Sequence, residues 1–142
     1  MVKVLVINNQ LDASVREKLQ NKMGADYDLT YVEDIPGFSV KDNPTVAKAI
    51  GDSEFLVYII LNGEELPFEK WIIEDAIRLG KRIVAIYIST LEVGIPEEIE
   101  SYADTIVNID SPGFGAAVAG AGVFEQPDMT PRPSRTIRRT EC

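Results

Sequence analysis

The chain has 142 residues, of which 45% are hydrophobic and 26% charged, which suits one globular domain with a single core and is too short for two. Fourteen Lys and Arg against 23 Asp and Glu leave a net charge of −9, a surface that repels a phosphate backbone and argues against sequence-independent nucleic-acid binding. With no histidine and one cysteine, Cys142, the chain cannot build Ser–His or Cys–His nucleophiles, imidazole metal sites, an internal disulfide or a thiolate cluster, so carboxylates, amides, hydroxyls and backbone must carry any chemistry.

The first apolar run, Val2 to Ile7, has the length of a strand covered on both faces. It is far shorter than a signal-peptide core or a membrane span, so no membrane partner is expected and a reducing, cytoplasmic setting fits. Residues 14–23 read as a helix, with Val15, Leu19 and Met23 at i, i+4 and i+8 and Gly24 as the stop. Residues 28–32 form a weaker strand. A loop over 33–43 holds Pro36 and Gly37, and Pro44 opens a short helix to Ile50 that Gly51 ends.

Residues 54–61 are the most strand-like run. Pro67 opens a helix that closes at Gly80, and 82–88 form a fourth strand. A short helix from Pro96 to about Ala103, a fifth strand over 105–109 and a small-residue helix over 116–121 complete the series. Five β–α units joined by right-handed crossovers predict an α/β fold: a flavodoxin-like, doubly wound, five-stranded parallel sheet in the order 2-1-3-4-5.

The character changes at Phe124, so the reading divides the chain into an α/β domain over 1–123 and a Pro/Arg-rich tail over 124–142. Pro127, Pro131 and Pro133 interrupt regular structure, and Arg132, Arg135, Arg138 and Arg139 outnumber Glu125, Asp128 and Glu141. Such a tail is either a disordered extension or an arm that docks on an acidic surface, its own or a neighbour's.

Ligands of doubly wound sheets bind beyond the carboxyl ends of the strands, where the order reverses between strands 1 and 3. Here those ends are Asn8-Asn9, the 33–43 loop and Asn62-Gly63-Glu64-Glu65. On the helix from Pro67, Ile73, Ala76, Ile77 and Gly80 form a stripe expected to face the sheet. Trp71 and Glu74, three apart, share a neighbouring face near the helix start, a carboxylate beside an indole. The same helix allows a plainer reading, because Lys70, Glu74 and Arg78 have the i, i+4, i+8 spacing of a solvated salt-bridge ladder. Gly113-Phe114-Gly115 loosely echoes a phosphate loop, but no further strand follows it and close packing explains it better. A phospho-receiver needs paired acids where Asn8-Asn9 stand, so that class is disfavoured.

Three stretches together resemble a Toll/interleukin-1 receptor (TIR) domain, and more specifically the small TIR-like proteins of prokaryotic antiphage defence of the Thoeris type. They are Val32-Glu33-Asp34-Ile35-Pro36-Gly37-Phe38, placed like the family's BB loop; the run from Val46 to Ile60; and Trp71 to Ile77 with Gly80 to Val84. The likeness spans about residues 3 to 110. Leu66, Pro67, Phe68 and Glu69 stand where many TIR domains place a Ser, and Asn8 to Asp12 depart from the family's usual opening after strand 1.

The resemblance implies an enzyme that breaks the bond between nicotinamide and ribose in NAD. By it, Glu74 is the counterpart of the family's catalytic glutamate, Trp71 packs beside it, and the 33–38 loop is a flap over the site. Asn8, Asn9, Asp34, Gly37, Phe38 and Asn62 are then expected to bind the substrate with Trp71, and neither metal nor cofactor is implied beyond NAD as substrate. Loss of neutral nicotinamide needs no general acid, and a fixed carboxylate steadies the ribosyl cation more than the ground state. The product would be a linear or cyclic ADP-ribose-type signal for a separate effector protein. Catalysis in this family commonly needs two protomers, so a homo-oligomer is expected. Two other readings stay open: a non-catalytic assembly module that uses the same loop, and a nucleoside 2-deoxyribosyltransferase-like enzyme.

Overall fold

The structure, a computed structural model, describes residues 1–8, 11–61 and 66–132. Five strands, Val2–Ile7 (β1), Tyr27–Tyr31 (β2), Phe55–Ile60 (β3), Arg82–Tyr87 (β4) and Thr105–Asn108 (β5), form one sheet in the order β2-β1-β3-β4-β5. Every adjacent pair is parallel, with Val4 opposite Phe55, Tyr58 opposite Ala85 and Ile86 opposite Val107. The fold is therefore the doubly wound α/β architecture that the alternation of elements predicts.

Helices Ala13–Met23 (α1), Pro44–Asp52 (α2), Pro67–Arg78 (α3), Glu97–Tyr102 (α4) and Phe114–Ala119 (α5) cover the two faces. Because side chains alternate along a strand, each strand feeds both layers. Leu5, Ile7, Leu56, Tyr58, Ile60, Ile83, Ala85 and Tyr87 face α2, α3 and α4. Val4, Val6, Phe55, Val57, Ile59, Val84 and Ile86 face α1 and α5. Two-sided covering explains the lack of polar alternation in β3, all six of whose residues are buried. Arg82 donates to the carbonyls of Ala117 and Val118 at 3.1 and 2.6 Å, which ties the end of α5 to the start of β4.

Three local differences from the sequence reading have physical causes. The 33–43 loop opens with a 3-10 turn at Val32–Asp34, anchored by the fully buried Val32. The last helix begins at Phe114 rather than Ala116, since the buried Phe114 ring adds packing that small residues lack. The Lys70–Glu74–Arg78 ladder does not form: Lys70 reaches Glu98 on α4 at 3.6 Å, and Arg78 pairs with Asp75 at 2.9 Å.

The first part of the proline-arginine tail docks on its own sheet. Phe124 pairs in parallel with Ile106, through Ile106 N–H to the Val123 carbonyl and Glu125 N–H to the Ile106 carbonyl, both 2.8 Å. The Glu125 carboxylate accepts from Ser111 Oγ at 2.6 Å and from the Asn108 N–H at 3.1 Å. Asn108 Nδ2 donates to the Pro127 carbonyl at 2.8 Å. The strap then folds back, and Arg132 donates through Nη2 to both oxygens of Glu100 at 2.5 and 2.6 Å. Arg135, Arg138, Arg139 and Cys142 lie outside the described residues.

Candidate functional site

The 33–43 loop is held at both ends by side chains that the sequence supplies locally. At its start, Glu33 accepts from Asn8 Nδ2 and from the Leu11 N–H, and pairs with Arg16 at 3.0 Å. Arg16 also makes a two-pronged contact with Asp34 at 2.7 and 3.1 Å and lies over the Tyr31 ring, 4.1 Å from its centre. That contact draws the Asp34 carboxyl below its ordinary range and raises the Arg16 guanidinium. Asn8 is fully buried at the carboxyl end of β1, and its Oδ1 has no hydrogen-bond partner among the described residues.

At the far end, Asn43 does two jobs. Its Oδ1 caps α2 by accepting from Thr45 N–H at 2.9 Å and Val46 N–H at 3.4 Å. Its Nδ2 donates back to the carbonyls of Pro36 and Gly37 at 3.0 and 2.7 Å. Gly37 sits at φ 69°, and a Cβ there would lie 3.2 Å from Asn43 Nδ2, so both conformation and space call for glycine.

Between these anchors the loop lays Phe38 against α3. The Phe38 ring meets Phe68 edge-on, with centroids 5.0 Å apart and planes at 82°. A cleft of about 250 Å³ opens beside this contact, walled by Phe38, Val40 and Asn43 on the loop side and by Trp71, Asp75 and Arg78 on α3. Trp71 is half-buried. One turn on, at i+4, Asp75 lines the same wall, its side chain 41% exposed and paired with Arg78 at 2.9 Å.

Of the residues that the sequence singled out, the fold brings Phe38 and Trp71 together in this cleft. Asn8 and Asp34 gather instead around Glu33 and Arg16, while Gly37 is an exposed turn in the 33–43 loop. Glu74 is exposed on the outer side of α3 and is not among the residues that line the cleft. Asn9 and Asn62 lie outside the described residues.

Sequence reasoning missed Asp75. The signal was present: on a helix, i+4 from Trp71 lies as close to the tryptophan face as i+3 does, and only packing decides which of the two lines the cleft. It also missed Glu69, a carboxylate only 3% exposed on the first turn of α3. Burial pushes the Glu69 carboxyl up, against the pull of the Leu66 N–H at 2.8 Å and the Tyr58 hydroxyl at 3.5 Å. Glu69 closes the first turn of α3 through the Leu66 N–H, as a glutamate at N3 does in a capping box.

Among the described residues no group of three or more Cys, Asp and Glu is placed to hold a metal, and no helix is long and apolar enough to cross a membrane. Neither a protein-family model nor a curated protein matches the chain.

Proposed function

We propose that the protein is a TIR-like enzyme that cleaves NAD or a related nucleotide at the bond between ribose and its nicotinamide-type base. The observation that supports this reading is one cleft lined by an aromatic of the 33–43 loop, Phe38, and an indole, Trp71, with a carboxylate, Asp75, one helical turn on and paired with Arg78. Two aromatic residues in the lining suit a flat heteroaromatic base. As the C1′–N bond breaks, its electron pair leaves with the neutral base and positive charge develops on the ribose. A nearby carboxylate steadies that charge, and water then adds to C1′ and gives up a proton. A cyclising variant of the reaction replaces the water with an acceptor inside the nucleotide.

A cleft of about 250 Å³ is smaller than the usual ligand pocket and has room for a base and part of a sugar, not for a dinucleotide. The rest of the substrate then rests on a second copy of the chain, in keeping with a homo-oligomer whose product signals to a separate effector. Two carboxylates compete for the central role. Asp75 serves the cleft of a single chain, whereas exposed Glu74 serves only where a neighbouring copy closes over it.

A second reading has its own support. Val40, at the cleft rim, is 63% exposed, and a non-catalytic assembly module would use it with the rest of the 33–43 loop as its contact surface. Incubating the protein with NAD, with and without a crowding agent, and following free nicotinamide separates the two. Release that falls about 100-fold or more in Asp75→Asn or Glu74→Gln, with unchanged melting, supports the enzyme and identifies its carboxylate. No release under any assembly condition overturns it in favour of the module, and turnover of deoxynucleosides alone favours a transferase.

A further inference from the structure

Three of the residues that line the cleft come from α3 at i, i+4 and i+7: Trp71, Asp75 and Arg78. That spacing keeps them in one stripe on one face of the helix. At 1.5 Å per residue the stripe spans about 10 Å along the axis. An indole, a carboxylate and a guanidinium thus follow one another in the order in which a nucleotide presents its base, its ribose and its 5′-phosphate. Arg78 is the single cation of the lining, where Asp42 and Asp75 are the acids, so a phosphate entering the cleft has one place to rest.

The same arginine bears on the carboxylate. Arg78 Nη2 lies 2.9 Å from Asp75 Oδ1, and a carboxylate whose charge is already answered steadies a ribosyl cation poorly. The pair must open for Asp75 to act. Both side chains are solvent-accessible, 69% for Arg78 and 41% for Asp75, and a surface pair of this kind holds weakly. A phosphate competes well for the arginine, because it carries more negative charge than a carboxylate and takes a guanidinium through two oxygens.

We propose that Arg78 is the specificity-determining residue of the cleft and exchanges Asp75 for the 5′-phosphate of the substrate. The substrate is then a phosphate-bearing nicotinamide nucleotide and not a nucleoside, and its own phosphate frees the carboxylate that works on the ribose. The ribose step rests on the NAD-cleaving reading, whereas phosphate recognition stands or falls by itself. Size agrees with this placement. The cleft holds a base and part of a sugar, which leaves the phosphate outside, at the exposed arginine.

The test measures binding apart from turnover. Nicotinamide mononucleotide and nicotinamide riboside differ by the 5′-phosphate alone, and Trp71, the chain's one tryptophan, reports both by quenching of its fluorescence. With and without a crowding agent, the mononucleotide is expected to bind about 10-fold or more tightly than the riboside. Arg78→Gln should erase that gap with the riboside bound no more weakly and the melting temperature unchanged, which general damage to the helix would not give. Arg78→Lys should keep part of the gap, since an ammonium holds a phosphate as a point charge. Equal affinity of the two ligands, a gap that survives Arg78→Gln, or no saturable quenching by either overturns the proposal. A gap erased by Arg78→Gln, with no nicotinamide released from either ligand, upholds the phosphate site and overturns the cleavage reading instead.

Discussion

Arg132 grips Glu100 through a single nitrogen, Nη2, at 2.5 and 2.6 Å from the two carboxylate oxygens, joining the end of the strap to α4. The Arg132 side chain is only 19% exposed, so this ion pair is better shielded than a surface bridge. Its removal tests whether the strap belongs to the cooperative fold. Arg132→Ala is expected to lower unfolding free energy by about 1–2 kcal/mol in a urea titration. Amide exchange at Val123 and Glu125 should speed up more than exchange in β3. A change confined to residues after 125 would mean that the strap's pairing with Ile106 stands without the arginine.

Asn43, itself a cleft wall, offers a way to loosen the 33–43 loop while leaving Phe38 and Trp71 unchanged. Asn43→Ala removes the α2 cap and both donations to the loop, and is expected to cost about 1–2 kcal/mol. Asn43→Asp keeps the capping oxygen but loses the Nδ2 donor, so it should cost less while freeing Pro36 and Gly37. Trp71 is the chain's one tryptophan and shares the cleft with Phe38, so its fluorescence reports the flap directly. A red-shifted emission in Asn43→Asp at nearly native stability is expected. An unshifted spectrum would show that Phe38 stays seated without the asparagine.

Glu69 sets a pH dependence whose sign follows from its burial. The folded carboxyl holds its proton more tightly than the unfolded one. Its stabilising contribution is therefore complete below the ordinary glutamate value of about 4.3 and is lost as pH rises through the higher folded value. Glu69→Gln retains an oxygen for the Leu66 N–H and removes the buried charge. Its melting temperature should exceed that of the native chain by a few degrees at pH 7, of order 1 kcal/mol or less, and the gap should close toward pH 4. A gap that stays constant across this range would mean that Glu69 is charged and fully compensated in the fold.

How much of this was legible beforehand depended on the kind of signal. Strand order followed from five apolar runs separated by helices, because a parallel sheet buried on both faces leaves no other use for runs such as Phe55 to Ile60. Helix starts at Pro44 and Pro67 were legible because proline is favoured in the first turn. Side-chain direction on an exposed helix face was not. Glu74 and Asp75 are adjacent and alike in charge, and only the placement of the 33–43 loop across α3 makes Asp75, not Glu74, a residue of the cleft lining. The role of Glu125 was equally hidden, since its partners Asn108 and Ser111 come from a different element and no spacing rule links them.

The strap along β5 has a consequence for how copies of this chain can add to one another. A parallel sheet has two rims of unsatisfied peptide groups, and here Val123 to Glu125 occupy one of them. Among the described residues β2 pairs with β1 alone. A copy adding to the sheet by strand pairing at β5 would have to displace the strap from Ile106, whereas at β2 it would displace no strand among the described residues.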